Sequence, residues 1–131
     1  MTAPARTWRL RQLEQPLCIA RLDPEEPLPS WVWDAHELVS VTRTPDELSI
    51  VCPEDVADQD DDVAGPYIGF VVDERLDFML TGVLSALLEP LTDEGISILA
   101  LSTYETDWIL VPADQTEEAV TAWRRRGHSI V

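Results

Sequence analysis

Positive charge is scarce in this sequence. Its 131 residues include 9 basic and 25 acidic side chains, which gives a formal net charge of −16 at pH 7. Such a surface repels phosphate groups, so the composition argues against nucleic acid and anionic membranes as partners. Negative charge also keeps a protein in solution, and a solvated acidic surface without a specific partner is the simplest interpretation.

Cysteine is also rare, and its two positions follow no metal or redox motif. Cys18 and Cys52 lie in separate apolar segments, without the CxxC or Cys/His spacing of a zinc site. We therefore predict no metal and no cofactor. Two buried free thiols fit a reducing compartment, and a disulfide between them is the alternative.

Long hydrophobic segments are absent as well. The longest uncharged apolar run, 78–88, has eleven residues, whereas a membrane helix needs about 20. The first residues lack the apolar stretch of a signal peptide. These features predict a cytoplasmic protein.

No motif in the sequence carries catalysis. Neither of the two histidines, His36 and His128, has a nucleophile motif beside it, and no G-x-S-x-G, H-E-x-x-H or P-loop pattern occurs. The acidic run 54–62 lacks the central glycine and closing glutamate of an EF-hand loop. We therefore predict a protein without catalytic residues, and not an enzyme.

The patterns that are present predict an α+β fold. Apolar and alternating segments indicate strands at 8–13, 17–22, 37–43, 48–52, 67–72, 96–103, 108–111 and 128–131. A helical stripe begins at Val83 and contains Pro90, which we expect to kink or shorten the helix, and the glycine after Glu94 is expected to end it. A second helix is predicted after Asp114, which has capping-box spacing with Glu117.

The second half therefore reads as strand, helix, strand, strand, helix, strand, which is the ferredoxin-like βαββαβ arrangement with both helices on one face of an antiparallel sheet. The first half has a proline-rich segment (23–30) and the acidic run in place of helices. A T-x-x-x-D pattern recurs at 42–46 and 103–107, an offset of 61 residues, and indicates duplication. We predict a degenerate half at 1–64 and a complete domain at 65–131.

Two stretches carry a family resemblance, namely SVTRTPDELSIVCPE and LDFMLTGVLSALLEPLTDEGISILALSTYETDWILV. Over roughly residues 16–131 the chain resembles the ACT-domain proteins of the group related to the CASTOR arginine sensors. The resemblance implies tandem βαββαβ units that bind amino acids and regulate metabolic enzymes. It also implies a ligand site where the first strand meets the first helix, at an interface between paired units.

This resemblance and simple chemistry together indicate a ligand site. A glycine before a helix lets backbone approach a ligand, free N–H groups of a helix start can hold a carboxylate, and Asp107 can hold an ammonium group. The predicted ligand-binding residues are Thr81, Gly82, Val83, Leu84, Ser102, Thr103 and Asp107. The alternatives are structural: Asp107 closes a turn, Thr81 caps the helix, Gly82 serves packing, and the remaining polar residues are ordinary strand residues.

The predicted function is binding of an amino acid or similar small ligand by a regulatory or sensor protein. A homodimer is expected because pairing would cover exposed strand edges, and a sensor needs a regulated protein partner. The alternative is an acidic protein-interaction adaptor that has lost ligand binding. It would use its surface charge and exposed tryptophans. Trp31 and Trp33, close together after the proline-rich segment, are expected to bury against the core, with lining of a ligand site as the alternative.

Overall fold

The computed structural model describes residues 6–57, 62–74 and 82–131. Its strands and helices are β1 (Arg9–Gln12), β2 (Leu17–Leu22), β3 (Ser40–Arg43), β4 (Leu48–Pro53), β5 (Asp62–Val72), α1 (Val83–Asp93), β6 (Leu99–Ser102), β7 (Asp107–Pro112), α2 (Thr116–Arg125) and β8 (Ser129–Ile130). Short 3₁₀ turns lie at Ser30–Asp34 and Ala113–Gln115. The predicted ferredoxin-like α+β fold is confirmed.

The chain forms two compact units. One is continuous, Glu14–Tyr67, and we name it the acidic unit; the other combines the described residues before Glu14 with Ile68–Val131, and we name it the helical unit. Strand β5 contributes its first half to the acidic unit and its second half to the helical unit. The sequence predicted two halves, 1–64 and 65–131, on the basis of an internal duplication. That boundary concerns the duplication and stays a prediction.

The acidic unit keeps the four-strand order of a βαββαβ unit without its helices. Its strands lie in the order β3-β4-β2-β5, and the β3–β4, β4–β2 and β2–β5 pairs are antiparallel. Alternate side chains of β2 and β4 point to one face and form a buried cluster of Cys18, Ala20, Leu22, Leu48, Ile50 and Cys52. Val32 of the first 3₁₀ turn packs into this cluster, so the turn covers the face on which a helix would lie.

Cys18 and Cys52 are directly opposite each other on β2 and β4. Both are free thiols, and their Sγ atoms lie 3.9 Å apart. Burial raises the pKa of the Cys18 thiol, and it raises the pKa of Cys52 to about 12. The sequence left two states open, two free thiols or a disulfide, and the structure shows two free thiols.

The helical unit contains both helices and an inserted N-terminal strand. Strand β1 lies between β5, to which it is antiparallel, and β8, to which it is parallel, while β7 pairs with β5 and β6. The core includes Phe70 and Trp123, whose rings meet edge to face with centroids 4.8 Å apart. The place beside β5, where the predicted domain has its own last strand, is thus filled by β1.

Helix α1 is not shortened at Pro90. The helix continues past this residue to Asp93, and Pro90 itself is buried. The backbone carbonyls one turn before it have partners outside the helix: Trp123 Nε1 donates to the Leu87 carbonyl across 2.8 Å, and the His128 ring is hydrogen bonded to the Ala86 backbone. Proline lacks the N–H that would bond the Ala86 carbonyl, so the His128 contact compensates for it, while the Trp123 bond reaches a carbonyl whose helical donor is Leu91.

The start of α2 also differs from its prediction. Asp114 lies in the second 3₁₀ turn, the helix begins at Thr116, and no side chain caps its first turn. The predicted capping box is therefore wrong, because the 3₁₀ turn moves the helix start two residues beyond Asp114. Acidic side chains still fill the first turn and arginines the last, which complements the helix dipole.

Candidate functional site

The turn between β6 and β7 is closed by its own threonines. Thr103 N–H donates to the Thr106 carbonyl across 2.8 Å, and Thr106 N–H donates to Thr103 Oγ1 across 3.1 Å. Trp108 Nε1 donates to Thr106 Oγ1 across 2.6 Å. The hydroxyl of Thr103 therefore has a structural partner within the turn.

Ser102 and Asp107 meet directly across the hairpin. They are cross-strand partners, and Ser102 Oγ donates to Asp107 Oδ1 across 2.5 Å. A carboxylate accepts several hydrogen bonds, so this contact orients Asp107 without using its full capacity. The sequence placed both residues in the site but did not indicate that they contact each other.

The Ser102–Asp107 pair projects to the face of the sheet that carries the helices. Asp107 and Ile109 are two positions apart on β7 and therefore share a face. Ile109 is fully buried in the core that also contains Leu87 of α1 and Trp123 of α2. The carboxylate is thus on the side of the sheet on which α1 begins and ends.

Gly82 begins helix α1 in a left-handed conformation, with φ of 81° and ψ of −2°, and no side chain of a described residue caps this end. Its carbonyl accepts the Ala86 N–H across 3.0 Å. Val83 is buried, and Leu84 packs against the same core. Their side chains therefore serve packing, and what they offer at the helix start is backbone. Thr81 lies outside the described residues.

Topology brings the two groups of residues to one end of the helical unit. In a βαββαβ unit the chain leaves the first strand at the same end at which it turns between the second and third strands. The start of α1 and the Thr103–Thr106 turn occupy those two places. Helix-start N–H groups have no acceptor within the helix, so this end combines free donors with a carboxylate.

The hairpin turns of the two units, between β3 and β4 and between β6 and β7, align with a different offset from the one that the T-x-x-x-D pattern predicts. Thr44 N–H donates to the Glu47 carbonyl across 2.9 Å, as Thr103 does to Thr106, and Thr44 Oγ1 accepts backbone N–H groups just as Thr103 Oγ1 does. Thr44 therefore corresponds to Thr103, an offset of 59 residues. The predicted T-x-x-x-D alignment is wrong by two residues, and Asp46 is not the counterpart of Asp107.

The structure also contains two open clefts that the sequence did not indicate, both in the acidic unit. Each has a volume of about 360 Å³. The first is lined by Arg21, Leu22, Asp23, Pro24, Glu26, Asp46 and Asp62. Arg21 Nε lies 3.4 Å from Glu47 Oε2, so its charge is compensated at the cleft. The second is lined by Pro24, Glu25, Arg43, Thr44 and Pro45.

The histidines differ in environment. His128 is buried, with 5% of its surface exposed, and its Nδ1 accepts the Trp8 N–H across 3.0 Å. Burial lowers its pKa, a hydrogen bond with the Ala86 backbone opposes that shift, and the Arg126 charge adds to it. His36 is exposed. Since Nδ1 of the buried His128 already accepts the Trp8 N–H, it is not a base available to a ligand.

Within the described parts of the chain, no group of three or more histidine, cysteine, aspartate or glutamate side chains is arranged to hold a metal ion. The same residues include no helix with the length and apolar character to cross a membrane.

Family models match a segment in each half of the chain. A family model for the ACT domain matches residues 66–125, and a model for an N-terminal domain matches residues 16–60. A solved protein from Agobacterium tumefaciens is 36% identical, with 97% of this chain and 94% of that chain covered and a TM-score of 0.89. No protein with curated functional data matches.

Two further solved structures share the fold at low identity. One is a Vibrio cholerae protein of unknown function, described as a possible transport protein, at 17% identity, TM-score 0.73, and coverage of 92% of this chain and 90% of that chain. The other is the ligand-free regulatory subunit of aspartate kinase from Thermus thermophilus, at 12% identity, TM-score 0.61, and coverage of 86% and 93%.

Proposed function

The chain belongs to the ACT domain family, and from this membership we propose that it binds an amino acid or a similar small molecule and acts as a regulatory or sensor protein without catalytic activity. The fold it shares with a regulatory subunit of aspartate kinase supports a regulatory role. Placement in the cytoplasm is part of the proposal, because free amino acids are abundant there.

The observation that carries the proposal is the oriented carboxylate of Asp107 on the helix-bearing face of the sheet. Ser102 holds one oxygen of this carboxylate, across 2.5 Å. An α-ammonium group or a cationic side chain is the natural partner of such an acceptor. The uncapped start of α1 at the same end offers backbone N–H groups to an α-carboxylate. The two ends of an amino acid therefore have complementary groups.

Each predicted site residue has a role in this arrangement. Gly82, Val83 and Leu84 supply backbone at the helix start, and Thr81, proposed as a further contact from the sequence, lies outside the described residues. A Cβ at Gly82 would meet no atom within 4 Å, so a ligand can approach this backbone closely. Asp107 binds the cationic group of the ligand, and Ser102 orients the Asp107 carboxylate. Thr103 fixes the turn between β6 and β7.

The proposed active form is a homodimer. Strand β3 ends the sheet of the acidic unit, and β6 pairs only with β7 among the described strands of the helical unit. Such edges carry unpaired backbone groups that a second copy can satisfy. Sedimentation equilibrium of the full chain tests this part, and a monomer at all concentrations would contradict it.

The ligand is tested by a thermal-shift screen of the full chain against the individual amino acids, followed by calorimetric titration of those that raise the melting temperature. Because only the native state binds, stabilisation follows ligand concentration. Asp107→Asn removes the charge but keeps the shape, and we expect it to abolish the shift. If no amino acid stabilises the chain, or if Asp107→Asn binds as the original does, the proposed site is wrong.

A further inference from the structure

The segment between β2 and β3, residues 23–34, exposes two large apolar side chains. We name it the Trp33 segment. Trp33 is 78% exposed and Leu28 is 43% exposed, whereas Val32 between them is 1% exposed and packs in the core of the acidic unit. Because Val32 anchors the 3₁₀ turn, the adjacent Trp33 side chain is held outward by a fixed backbone.

This exposure is exceptional among the tryptophans of the chain. Trp8 and Trp123 are buried at 4% and 0% exposure, and Trp31 and Trp108 are partly buried. Single exposed apolar residues are common, but indole carries the largest contact area of any side chain and is enriched at binding hot spots. An exposed indole on an anchored turn therefore suits recognition at low entropic cost.

Charge on the same segment is of one sign. Asp23, Glu25, Glu26 and Asp34 are all exposed, and no lysine or arginine occurs between Arg21 and Arg43. The acidic unit has fourteen acidic and two basic side chains, so −12 of the net charge of −16 lies in residues 14–67. The apolar side chains of the segment are therefore set within a strongly negative surface.

We propose that the Trp33 segment is a docking surface for a basic protein segment, one in which arginine or lysine alternates with apolar side chains. Phosphate groups and anionic lipids are repelled by this surface, and so is the same segment of a second copy. A guanidinium group can stack on the Trp33 indole while its neighbours pair with the carboxylates, and apolar side chains can cover Leu28. This inference is independent of ligand binding in the helical unit.

The test uses fluorescence anisotropy of a labelled synthetic peptide of alternating arginine and leucine, titrated with the full chain at physiological salt. We expect saturable binding that Trp33→Ala weakens by about tenfold. The matched control is Tyr104→Ala, because Tyr104 is also aromatic and 76% exposed but lies in the helical unit. That variant should bind within about twofold of the original.

Charge is tested with two pairs of adjacent exposed glutamates. Glu25→Gln with Glu26→Gln should weaken binding several-fold, whereas Glu117→Gln with Glu118→Gln on α2 should not. A peptide of arginine and serine separates charge from apolar contact, and it should bind more weakly. The proposal is overturned if Trp33→Ala and Tyr104→Ala weaken binding equally, or if the two double glutamate variants do. It is also overturned if the two peptides bind equally well. Concentration-dependent self-association that requires Trp33 would contradict it too. Unchanged melting temperatures show that the variants are folded.

Discussion

The indole N–H of Trp123 in α2 donates to the backbone carbonyl of Leu87 in α1 across 2.8 Å. Three residues later Pro90 interrupts the helical hydrogen bonds, because it has no N–H to offer the carbonyl of Ala86. The His128 ring is hydrogen bonded to the Ala86 backbone. The His128 contact thus serves the carbonyl that the proline leaves without its helical donor, and the Trp123 bond ties the same turn of α1 to α2.

Replacing Trp123 by phenylalanine keeps most of the buried ring but removes the donor to Leu87. We expect the free energy of unfolding to fall by about 1 to 3 kcal/mol, because one buried hydrogen bond is lost and the smaller ring leaves part of the core unfilled. Urea denaturation measures this change. Trp33→Phe is the control, since that ring is largely exposed, and a loss of equal size in both variants would contradict the role of the hydrogen bond.

Stability should depend on pH through His128. Burial lowers the pKa of this side chain in the folded protein below its ordinary value of 6.5. The unfolded chain therefore binds the proton more readily, and the free energy of unfolding falls as pH decreases from 6.5 through the lower folded value. Protonation of Nδ1 would also break the bond from the Trp8 N–H.

The measurement is a series of urea denaturations across this pH range. His128→Gln should remove the part of the pH dependence that the histidine contributes, while His36→Gln, at an exposed position, should retain it. Identical pH profiles for the original and His128→Gln would show that the histidine does not contribute.

The two thiols should react only when the acidic unit opens. Both are fully buried, and burial raises the pKa of Cys52 to about 12 and that of Cys18 above its usual range. The thiolate is the reactive form, so alkylation by iodoacetamide at neutral pH should be slow in the native state and fast in urea. Rapid modification of either cysteine in native conditions, detected by mass spectrometry, would contradict this expectation.

Two glycines allow a matched test of the proposed ligand site. Gly82 and Gly95 flank helix α1 with φ of 81° and 73°, and a Cβ at either would meet no atom within 4 Å. Alanine at each position should cost about 1 to 2 kcal/mol, because an L side chain disfavours this conformation. Only Gly82→Ala should also weaken binding of the amino acid that the screen identifies.

Thermal denaturation gives the cost in stability, and calorimetric titration at a temperature where both variants are folded gives the affinity. Equal affinities in Gly82→Ala and Gly95→Ala would mean that the ligand does not approach the start of α1.

Much of the helical unit could be predicted from the sequence because its signals are local. The apolar stripe that begins at Val83 and the glycine after Glu94 place helix α1 correctly. The alternation around Leu10 likewise identified a strand. It could not identify the partners, because β1 pairs with β5 and β8, whose paired residues lie about 60 and 120 positions away in sequence.

The errors in the turns share one physical cause. Backbone hydrogen bonds define a turn, and a match in residue types does not reveal them. Thr42 and Asp46 repeat the letters of Thr103 and Asp107, but the bond from Thr44 to Glu47 defines the true correspondence. The spacing of Asp114 and Glu117 matched a capping box, although a 3₁₀ turn occupies that position. The contact between Ser102 and Asp107 depends on strand register, which the sequence pattern does not specify.

The insertion of β1 into the helical unit has a consequence during synthesis on the ribosome. The acidic unit is a continuous segment and can complete its strand pairing as soon as Tyr67 has emerged. Strand β1 is made earlier but must remain without its partner β8 until Ser129 and Ile130 are translated. The order of synthesis therefore makes the acidic unit the first to mature, and the helical unit is completed only when translation has reached β8.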